Sequence, residues 1–465
     1  METRKPGGRP RIGWLLLASM VLAAVGGLAV ARSATLNPEA YLPAIFRYRP
    51  PTKVFLPTVY RLKPPPPPTP TPTPQPNDEV RGLWVSRFDW TIYGQPASPA
   101  KIDEIVANAA YAGFNVIFFQ VRGAADAYYA PGLEPWAQRV TGGQLGQAPN
   151  PWWDPLAHFV NAAHGRGIQL HAYLNVYPVW DSCVNPPPHT TPEHFYYVLE
   201  AGEGTTAGKL NGLQWDTSYN THCSGYLRAT PASYVGDGQY VALANDLMTR
   251  YAIDGIHLDH IRYGGANTSC DPVSQYYYGW QSCPDPRTNA TYASWQRQQI
   301  NGTVSKFYQA MVAKKPALWL SAAVWPIYQT KPEWGWSSVS QGYYDYYQDS
   351  KAWVQGGYVD SIMPMIYPAN YGGCPYEGFW TLAVWQTLVA DFQSSSSGRW
   401  VIPGIGAGYC SFDEIANRIA AARAIGTAGH AIFSYSGLAA GGYFDDLANG
   451  PYAEPAAVPP RSWTH

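Results

Sequence analysis

The sequence predicts an α/β protein built on a TIM (β/α)8 barrel with enlarged loops after the strands. Short apolar runs alternate with segments of helical period over about 360 residues, a pattern typical of strand–helix units around a parallel sheet. These units number eight, as a closed barrel requires. An open doubly wound sheet is the alternative fold, but no glycine-rich phosphate turn follows the first predicted strand.

The individual elements follow from the same two periodicities. Strands are predicted over residues 80–86, 115–122, 168–175, 255–262, 319–325, 361–367, 401–407 and 430–435. Helices are predicted over residues 101–112, 154–165, 241–252, 291–313, 380–393 and 412–425. Long insertions at 176–240 and 263–290 follow the third and fourth strands. Because the loops after the strands carry the active site of a TIM barrel, we expect both insertions to overhang that site.

The chain ahead of the barrel has the composition of an exported protein. Basic residues precede an apolar run over residues 13–30, so residues 1–34 are predicted to be a signal peptide or membrane anchor. Residues 35–78 form a predicted Pro/Thr-rich linker, extended as polyproline II over 64–74. The barrel domain is assigned to 79–450 and a C-terminal tail to 451–465. We therefore expect a secreted or membrane-anchored, extracytoplasmic protein that contacts the membrane only through its N-terminal segment.

Composition narrows the class of partner. The 31 Lys+Arg and 32 Asp+Glu give a net charge of -1, which offers no grip on a polyanion and argues against nucleic-acid binding. Charged residues make up only 14% of the chain, whereas aromatic residues make up 15%. Such a composition suits a neutral, polyhydroxylated ligand such as a glycan. The sequence carries no signal for a cofactor or for an oligomeric state.

The six cysteines are predicted to form disulfides. They all fall in predicted loops or loop edges, where pairing between chain neighbours is the simplest arrangement. The predicted pairs are Cys183 with Cys223, Cys270 with Cys283, and Cys374 with Cys410. No C-x-x-C spacing occurs, so no metal site is predicted.

The fourth strand carries the leading catalytic candidate. Ile256 and Leu258 share its outward face, which leaves His257 and Asp259 pointing inward with Asp259 at the mouth. Asp259 is predicted to be catalytic, although an inward aspartate can also hold a buried hydroxyl or arginine. Asp254, at the opposite end of the strand, is expected to cap a loop.

Two further acids are candidate partners for Asp259. Asp126 lies in the loop after the second strand, where the alternative role is a salt bridge to Arg122 or Arg262. Glu333 lies among tryptophans after the fifth strand, in surroundings that fit sugar stacking or simply a packed loop.

The same alternation selects residues predicted to bind substrate, each with packing inside the barrel as its alternative. Gln120 and Arg122 point inward on the second strand, and His171, Tyr173 and Asn175 on the third. The other predicted substrate-binding residues are His257, Arg262, Trp325, Met365 and Tyr367.

Two carboxylates at an aromatic barrel mouth fit glycosidic bond hydrolysis, in which one acid protonates the leaving oxygen. A low dielectric around His257 and Tyr367 is expected to raise the pKa of that acid. No G-x-S-x-G elbow, H-E-x-x-H helix or P-loop occurs in the chain.

The sequence resembles the glycosyl hydrolase-like 10 family. The resemblance covers about 360 residues and is carried most specifically by D-G-I-H-L-D-H-I-R-Y at 254–263, with E-V-R-G-L-W-V at 79–85 and M-P-M-I-Y at 363–367. It implies a TIM barrel at the bacterial cell envelope, and some relatives act on peptidoglycan glycan strands. When residues 254–261 are aligned with the chitinase motif D-G-x-D-x-D-x-E, His257 stands in place of the middle aspartate and Ile261 in place of the glutamate that acts as the acid. Another carboxylate must therefore be the catalytic acid here.

These observations predict an exported glycoside hydrolase that acts on a neutral or amino-sugar glycan, with peptidoglycan among the candidate substrates. The alternative from another class is a non-catalytic glycan-binding envelope protein on a proline-rich stalk.

Overall fold

A computed structural model describes residues 78–337, 339–368, 378–409 and 411–464. The predicted N-terminal segment and nearly all of the linker lie outside these residues, as do Cys374 and Cys410.

Eight parallel strands form the predicted barrel. They are Val80–Val85, Val116–Arg122, Gln169–Asn175, Gly255–Asp259, Trp319–Val324, Ser361–Pro364, a seventh strand in two pieces, Trp400–Val401 and Gly404–Gly406, and Gly429–Phe433. The first piece of the seventh strand pairs with the sixth strand and the second piece with the eighth, so one chain segment closes the sheet. The break falls at Pro403, which has no backbone N–H to donate to a neighbouring strand.

The predicted alternation of the fourth strand is confirmed. Ile256 and Leu258 belong to the large apolar cluster that the strands share with the helices. His257 faces the interior, where Trp84, Phe118 and Tyr173 also lie. The strand ends at Asp259 rather than at residue 262, because His260 adopts a left-handed backbone conformation with φ of 49°.

Helices follow each strand and cover the sheet. Their bounds are Arg87–Trp90, Pro99–Ala112, Gln138–Thr141, Pro155–His164, Phe195–Ala201, Tyr234–Arg250, Pro272–Tyr278, Ala290–Lys314, Gly342–Asp345, Ser350–Gln355, Leu382–Gln393, Phe412–Ile425, Tyr435–Gly441 and Phe444–Asn449, with a 3₁₀ turn at Pro332–Trp334. Serine, aspartate, asparagine or threonine side chains cap most of the longer helices at their N-termini. Within the described residues, no helix is long and apolar enough to cross a membrane.

Both insertions carry the disulfides predicted for them. Cys183 bonds Cys223 within the first insertion, and Cys270 bonds Cys283 within the second. The first insertion also contains two small antiparallel strand pairs, Pro178–Trp180 with Leu227–Arg228 and Glu203–Thr205 with Gly208–Leu210.

Ion pairs hold the lower end of the barrel, meaning the amino-terminal ends of the strands. Asp360 accepts hydrogen bonds from Arg399 at 3.0 Å, the Trp463 indole at 2.7 Å and the Leu320 N–H at 2.7 Å. Arg461 donates to the Leu318 carbonyl at 2.6 Å. The predicted C-terminal tail therefore packs against this end of the barrel.

Candidate active site at the barrel mouth

Asp259 ends the fourth strand at the mouth, the carboxyl-terminal end of the barrel, and is 8% exposed. Its Oδ2 accepts the Tyr173 hydroxyl at 2.6 Å. Its Oδ1 accepts the His260 N–H at 2.5 Å and faces Arg262 Nη1 at 3.4 Å. Three donors thus hold one carboxylate in a single orientation.

These donors keep Asp259 ionised. Burial alone would raise its pKa, but the positive charge nearby, including Arg262, and the hydrogen bonds from Tyr173 and the His260 N–H outweigh burial and lower the pKa. The raised pKa was expected for the acid that protonates the leaving oxygen, and the pKa of Asp259 is shifted in the opposite direction. The surroundings of Asp259 thus favour its carboxylate form, which suits a nucleophile or base better than a proton donor.

His257 lies one layer below Asp259 and is completely buried. Its Nε2 accepts the Trp84 indole N–H at 3.0 Å, so Nδ1 carries the proton and donates to Ser321 Oγ at 2.8 Å. Burial lowers its pKa to about 3, so the ring is neutral. Both imidazole nitrogens of His257 are therefore hydrogen-bonded to protein side chains below Asp259.

Asn175 is the third-strand register partner of Asp259. It is 1% exposed, and its Oδ1 has no hydrogen-bond partner among the described residues. A buried polar atom without a partner costs free energy, so this oxygen fits a site that a ligand completes. Tyr367 stacks on Phe433 with ring centroids 5.2 Å apart, and its hydroxyl is within electrostatic range of Tyr173.

Two predicted binding residues on the second strand serve the protein itself. Gln120 Oε1 accepts the Arg87 N–H at 2.8 Å. Arg122, 2% exposed, pairs with Glu134 through both of that carboxylate's oxygens at 2.8–3.0 Å and donates to the carbonyls of the loop after the third strand. Neither alternative predicted for Asp126, a salt bridge to Arg122 or Arg262, occurs. The strand register shifts between Gln120 and Arg122, which breaks simple alternation there.

In this structure His171 takes the packing role that was the alternative to substrate binding. It is fully buried between the Phe118 and Trp319 rings, at 5.2 and 4.6 Å between centroids. A Cβ at Gly255 would stand 2.4 Å from its Nδ1, so glycine at that position makes room for the imidazole. His171 lies level with the start of the fourth strand, away from the mouth.

The candidate partner acids stand in different surroundings. Asp126 follows Ala125, whose φ is 56°. The Asp126 side chain is half-buried, accepts the Ala124 N–H at 2.7 Å and lies within electrostatic range of Arg87. Glu333 is exposed on its 3₁₀ turn, where Trp334 and Trp336 contact each other. Trp325 lies under Arg262 at 5.4 Å, and Met365 is half-buried where the sixth strand ends.

Four residues of the mouth escaped the sequence-based selection. Arg87 lies two residues beyond the first strand and donates to the Tyr226 hydroxyl at 2.7 Å. The Arg228 guanidinium carbon lies 5.6 Å from the centroid of the Tyr226 ring, and the His260 imidazole packs edge-on against that ring at 5.4 Å. The rule that strand ends carry the site could have selected Arg87 and His260. Tyr226 and Arg228 belong to the long insertion and have no local signal.

No group of histidine, cysteine, aspartate and glutamate side chains suited to a metal ion occurs in the described parts of the chain.

Comparison with known proteins places this geometry in context. The family model described as glycosyl hydrolase-like 10 matches residues 79–197 and 235–389. Glycosyl hydrolase DigH of Escherichia coli O6:H1 (strain CFT073) is 26% identical over 387 residues, which cover 77% of this chain and 79% of that protein. Glycosyl hydrolase YngK of Bacillus subtilis (strain 168) is 24% identical over 62% of this chain and 54% of its own length.

Among solved structures, the PgaB (BpsB) glycoside hydrolase domain of Bordetella bronchiseptica superposes with a TM-score of 0.54 over 80% of this chain and 98% of that one. The sequence identity is 11%, so the likeness concerns the fold.

Proposed function

Because the chain belongs to the glycosyl hydrolase-like 10 family, we propose that it hydrolyses a glycosidic bond of an extracytoplasmic amino-sugar glycan, with peptidoglycan glycan strands as the leading substrate. The family and the curated relatives support a glycoside hydrolase. The basic and apolar N-terminal segment and the two disulfides support export.

The position of Asp259 at the mouth, where it accepts hydrogen bonds from Tyr173 and the His260 N–H and faces Arg262, is the observation that carries the proposed mechanism. An ionised carboxylate at the mouth can attack the anomeric carbon, activate a water or stabilise an oxocarbenium-like transition state. Its three donors fix the carboxylate before substrate arrives, so little reorganisation is needed during the reaction. Tyr173 acts as a positioning residue because its hydroxyl binds Asp259.

The proton donor must then be a second acid, for which Asp126 is the better of the two candidates. It follows the second strand, so it lies at the carboxyl-terminal end of the barrel with Asp259. Asp126 lies within electrostatic range of Arg87, which donates a hydrogen bond to the Tyr226 hydroxyl. The Tyr226 ring in turn contacts His260, which directly follows Asp259. Glu333 has no comparable connection to Asp259. Asn175 and Tyr367 would orient the sugar through amide and hydroxyl hydrogen bonds.

The test incubates the purified protein with peptidoglycan glycan strands and analyses the soluble products by mass spectrometry. Asp259→Asn keeps the shape of the site and should reduce product release by about 10³- to 10⁴-fold. Asp254→Asn is the matched control, because Asp254 lies at the lower end of the same strand and its side chain bonds the Leu170 N–H and His164. This control should release products at the rate of the unmodified protein.

Two outcomes separate the proposal from its rival. Fragments released by the unmodified protein and by Asp254→Asn, but not by Asp259→Asn, establish a glycosidase and identify the bond cleaved. Binding of the strands without any release would contradict hydrolysis of this substrate and favour a tethered binding protein. Comparison of Asp126→Asn with Glu333→Gln then identifies the acid, because we expect a large loss of product release only in Asp126→Asn.

A further inference from the structure

Arg228 is a buried cation without an acidic partner among the described residues. Its side chain belongs to a residue that is only 7% exposed, and it donates to the main-chain carbonyls of Tyr226 at 3.0 Å and Ser224 at 3.1 Å. Burial and the nearby charge of Arg262 lower its pKa to about 10, which leaves it protonated. Holding such a charge away from water and from any anion costs free energy.

Arg87 also lies beside Tyr226 and is 5% exposed. Its guanidinium carbon lies 5.8 Å from the Tyr226 ring, and that of Arg228 lies 5.6 Å from the same ring. Asp126 lies within electrostatic range of Arg87 but forms no ion pair with it. The two guanidiniums therefore lie near one aromatic ring, and neither forms an ion pair with a carboxylate of the described residues.

Arg262 adds a third guanidinium, and it meets Asp259 only at 3.4 Å. Asp259 already accepts hydrogen bonds from Tyr173 and the His260 N–H, so Arg262 shares this carboxylate with two other donors. The paired state of Arg122 marks the contrast, since that guanidinium binds both oxygens of Glu134. Arg87 and Arg228, by contrast, form no ion pair with a carboxylate among the described residues, although Asp126 lies within electrostatic range of Arg87.

Unpartnered polar atoms lie in the same place. Within the described residues, Asn175 Oδ1 beside Asp259, His260 Nδ1 and His222 Nε2 are buried without a hydrogen-bond partner. His260 contacts Tyr226, and the charges of Arg228 and Arg87 both act on it. His222 lies within the range of Arg228 as well. A ligand that brings both an anion and hydroxyl groups would satisfy the arginines and these atoms together.

We infer that Arg87 and Arg228, whose guanidinium carbons lie 5.8 and 5.6 Å from the centroid of the Tyr226 ring, form a subsite for the carboxylate of an acidic sugar bound next to Asp259. Guanidinium groups bind carboxylates through paired, planar hydrogen bonds, which a neutral sugar cannot offer. The inference rests on the proposed function, because the carboxylate belongs to the glycan that the site cleaves. It also departs from the neutral ligand that overall composition favours.

Binding is measured by calorimetry with the Asp259→Asn protein, which holds substrate without turnover. The probes are oligosaccharides that carry either an ether-linked carboxylate, as in muramic acid, or a ring carboxylate, as in a uronic acid. Each is compared with its carboxamide, which has the same size and no charge. For one of the two probes we expect the carboxamide to bind about 10- to 100-fold more weakly than the acid. The probe that shows this difference identifies which kind of acidic sugar the subsite binds.

Variants of the subsite locate the effect. Arg228→Gln in the Asp259→Asn protein should weaken binding of the acid and leave binding of the carboxamide unchanged, and Arg228→Lys should lose part of the preference because lysine lacks the planar fork. Arg87→Gln provides a second, independent removal should Arg228→Gln fail to fold. Arg423→Gln, at the lower end beside Glu79, is the control and should bind both forms as the parent protein does.

Equal binding of acid and carboxamide, or an equal loss of both in the arginine variants, would overturn the subsite. That result leaves hydrolysis of a neutral glycan intact, because the products of the unmodified protein are measured separately. Failure of the proposed function looks different, since neither form would then be cleaved by the unmodified protein.

Discussion

The lower end of the barrel and its mouth are both rich in arginine, but the two ends differ in whether those arginines form ion pairs with carboxylates of the protein. At the lower end Arg399 binds Asp360, and Arg81 and Arg423 both bind Glu79. At the mouth Arg87 and Arg228 bind no carboxylate, and Arg262 approaches one at 3.4 Å. The lower end is complementary to itself and stabilises the fold, whereas the mouth is complementary to a ligand.

The largest effect on stability is expected at the lower end. Asp360 is fully buried, so Asp360→Ala leaves Arg399 and the Trp463 indole without their shared acceptor. Urea unfolding should show a loss of about 3 to 5 kcal/mol, the usual cost of breaking a buried ion pair. The folded fraction should keep its glycan hydrolysis. A variant that is equally stable but inactive would reverse the roles assigned to the two ends.

A smaller effect, on activity, is expected within the mouth. Tyr173→Phe removes the hydroxyl that bonds Asp259, so the pKa of Asp259 should rise. Turnover should fall about tenfold, the cost of one hydrogen bond to a charged group. The acid limb of the pH profile of kcat should shift to higher pH, because Asp259 must be ionised. A merely structural role for Tyr173 would lower stability and leave that limb in place.

The smallest effect concerns the charge of His260. Burial and the nearby arginines lower its pKa to about 3 although the Asp259 carboxylate acts to raise it, so the ring should stay neutral from pH 8 to pH 5. Because the unfolded chain takes up this proton near pH 6.5 and the folded one does not, the contribution to stability declines as pH falls below that value. Nuclear magnetic resonance of the ring, assigned with His260→Gln, measures the titration. A midpoint near 6.5 would contradict the charge balance proposed for the mouth.

The barrel was the predictable part of this molecule. Eight strands and the inward face of the fourth strand follow from local periodicity, because Ile256 and Leu258 must pack against the helices. The seventh strand was predicted as one run, yet Ile402 and Pro403 divide it. Alternation misled on the second strand, where Arg122 meets Glu134 twelve residues later in a loop, and nothing in the local pattern indicates that partner.

The mouth was less predictable because its residues come from distant parts of the chain. Asp259 and Asn175 end neighbouring strands, so strand position was enough to select them. Arg228 lies in an insertion of some sixty residues, and only folding brings it to Tyr226, His260 and Arg87. The net charge of -1 describes the whole chain, so it does not indicate that Arg87 and Arg228 lie close together at the mouth.

The comparison between the two ends is tested most directly by the free energies of unfolding of Arg399→Met and Arg228→Met, measured side by side in urea. Methionine replaces the cation with an apolar chain of similar length. We predict a loss of about 3 kcal/mol for Arg399→Met, which strands Asp360, and a loss of less than about 1 kcal/mol, or a gain, for Arg228→Met, which removes an unpaired charge. Equal losses in the two variants would contradict the claim that the mouth holds its charge for a ligand.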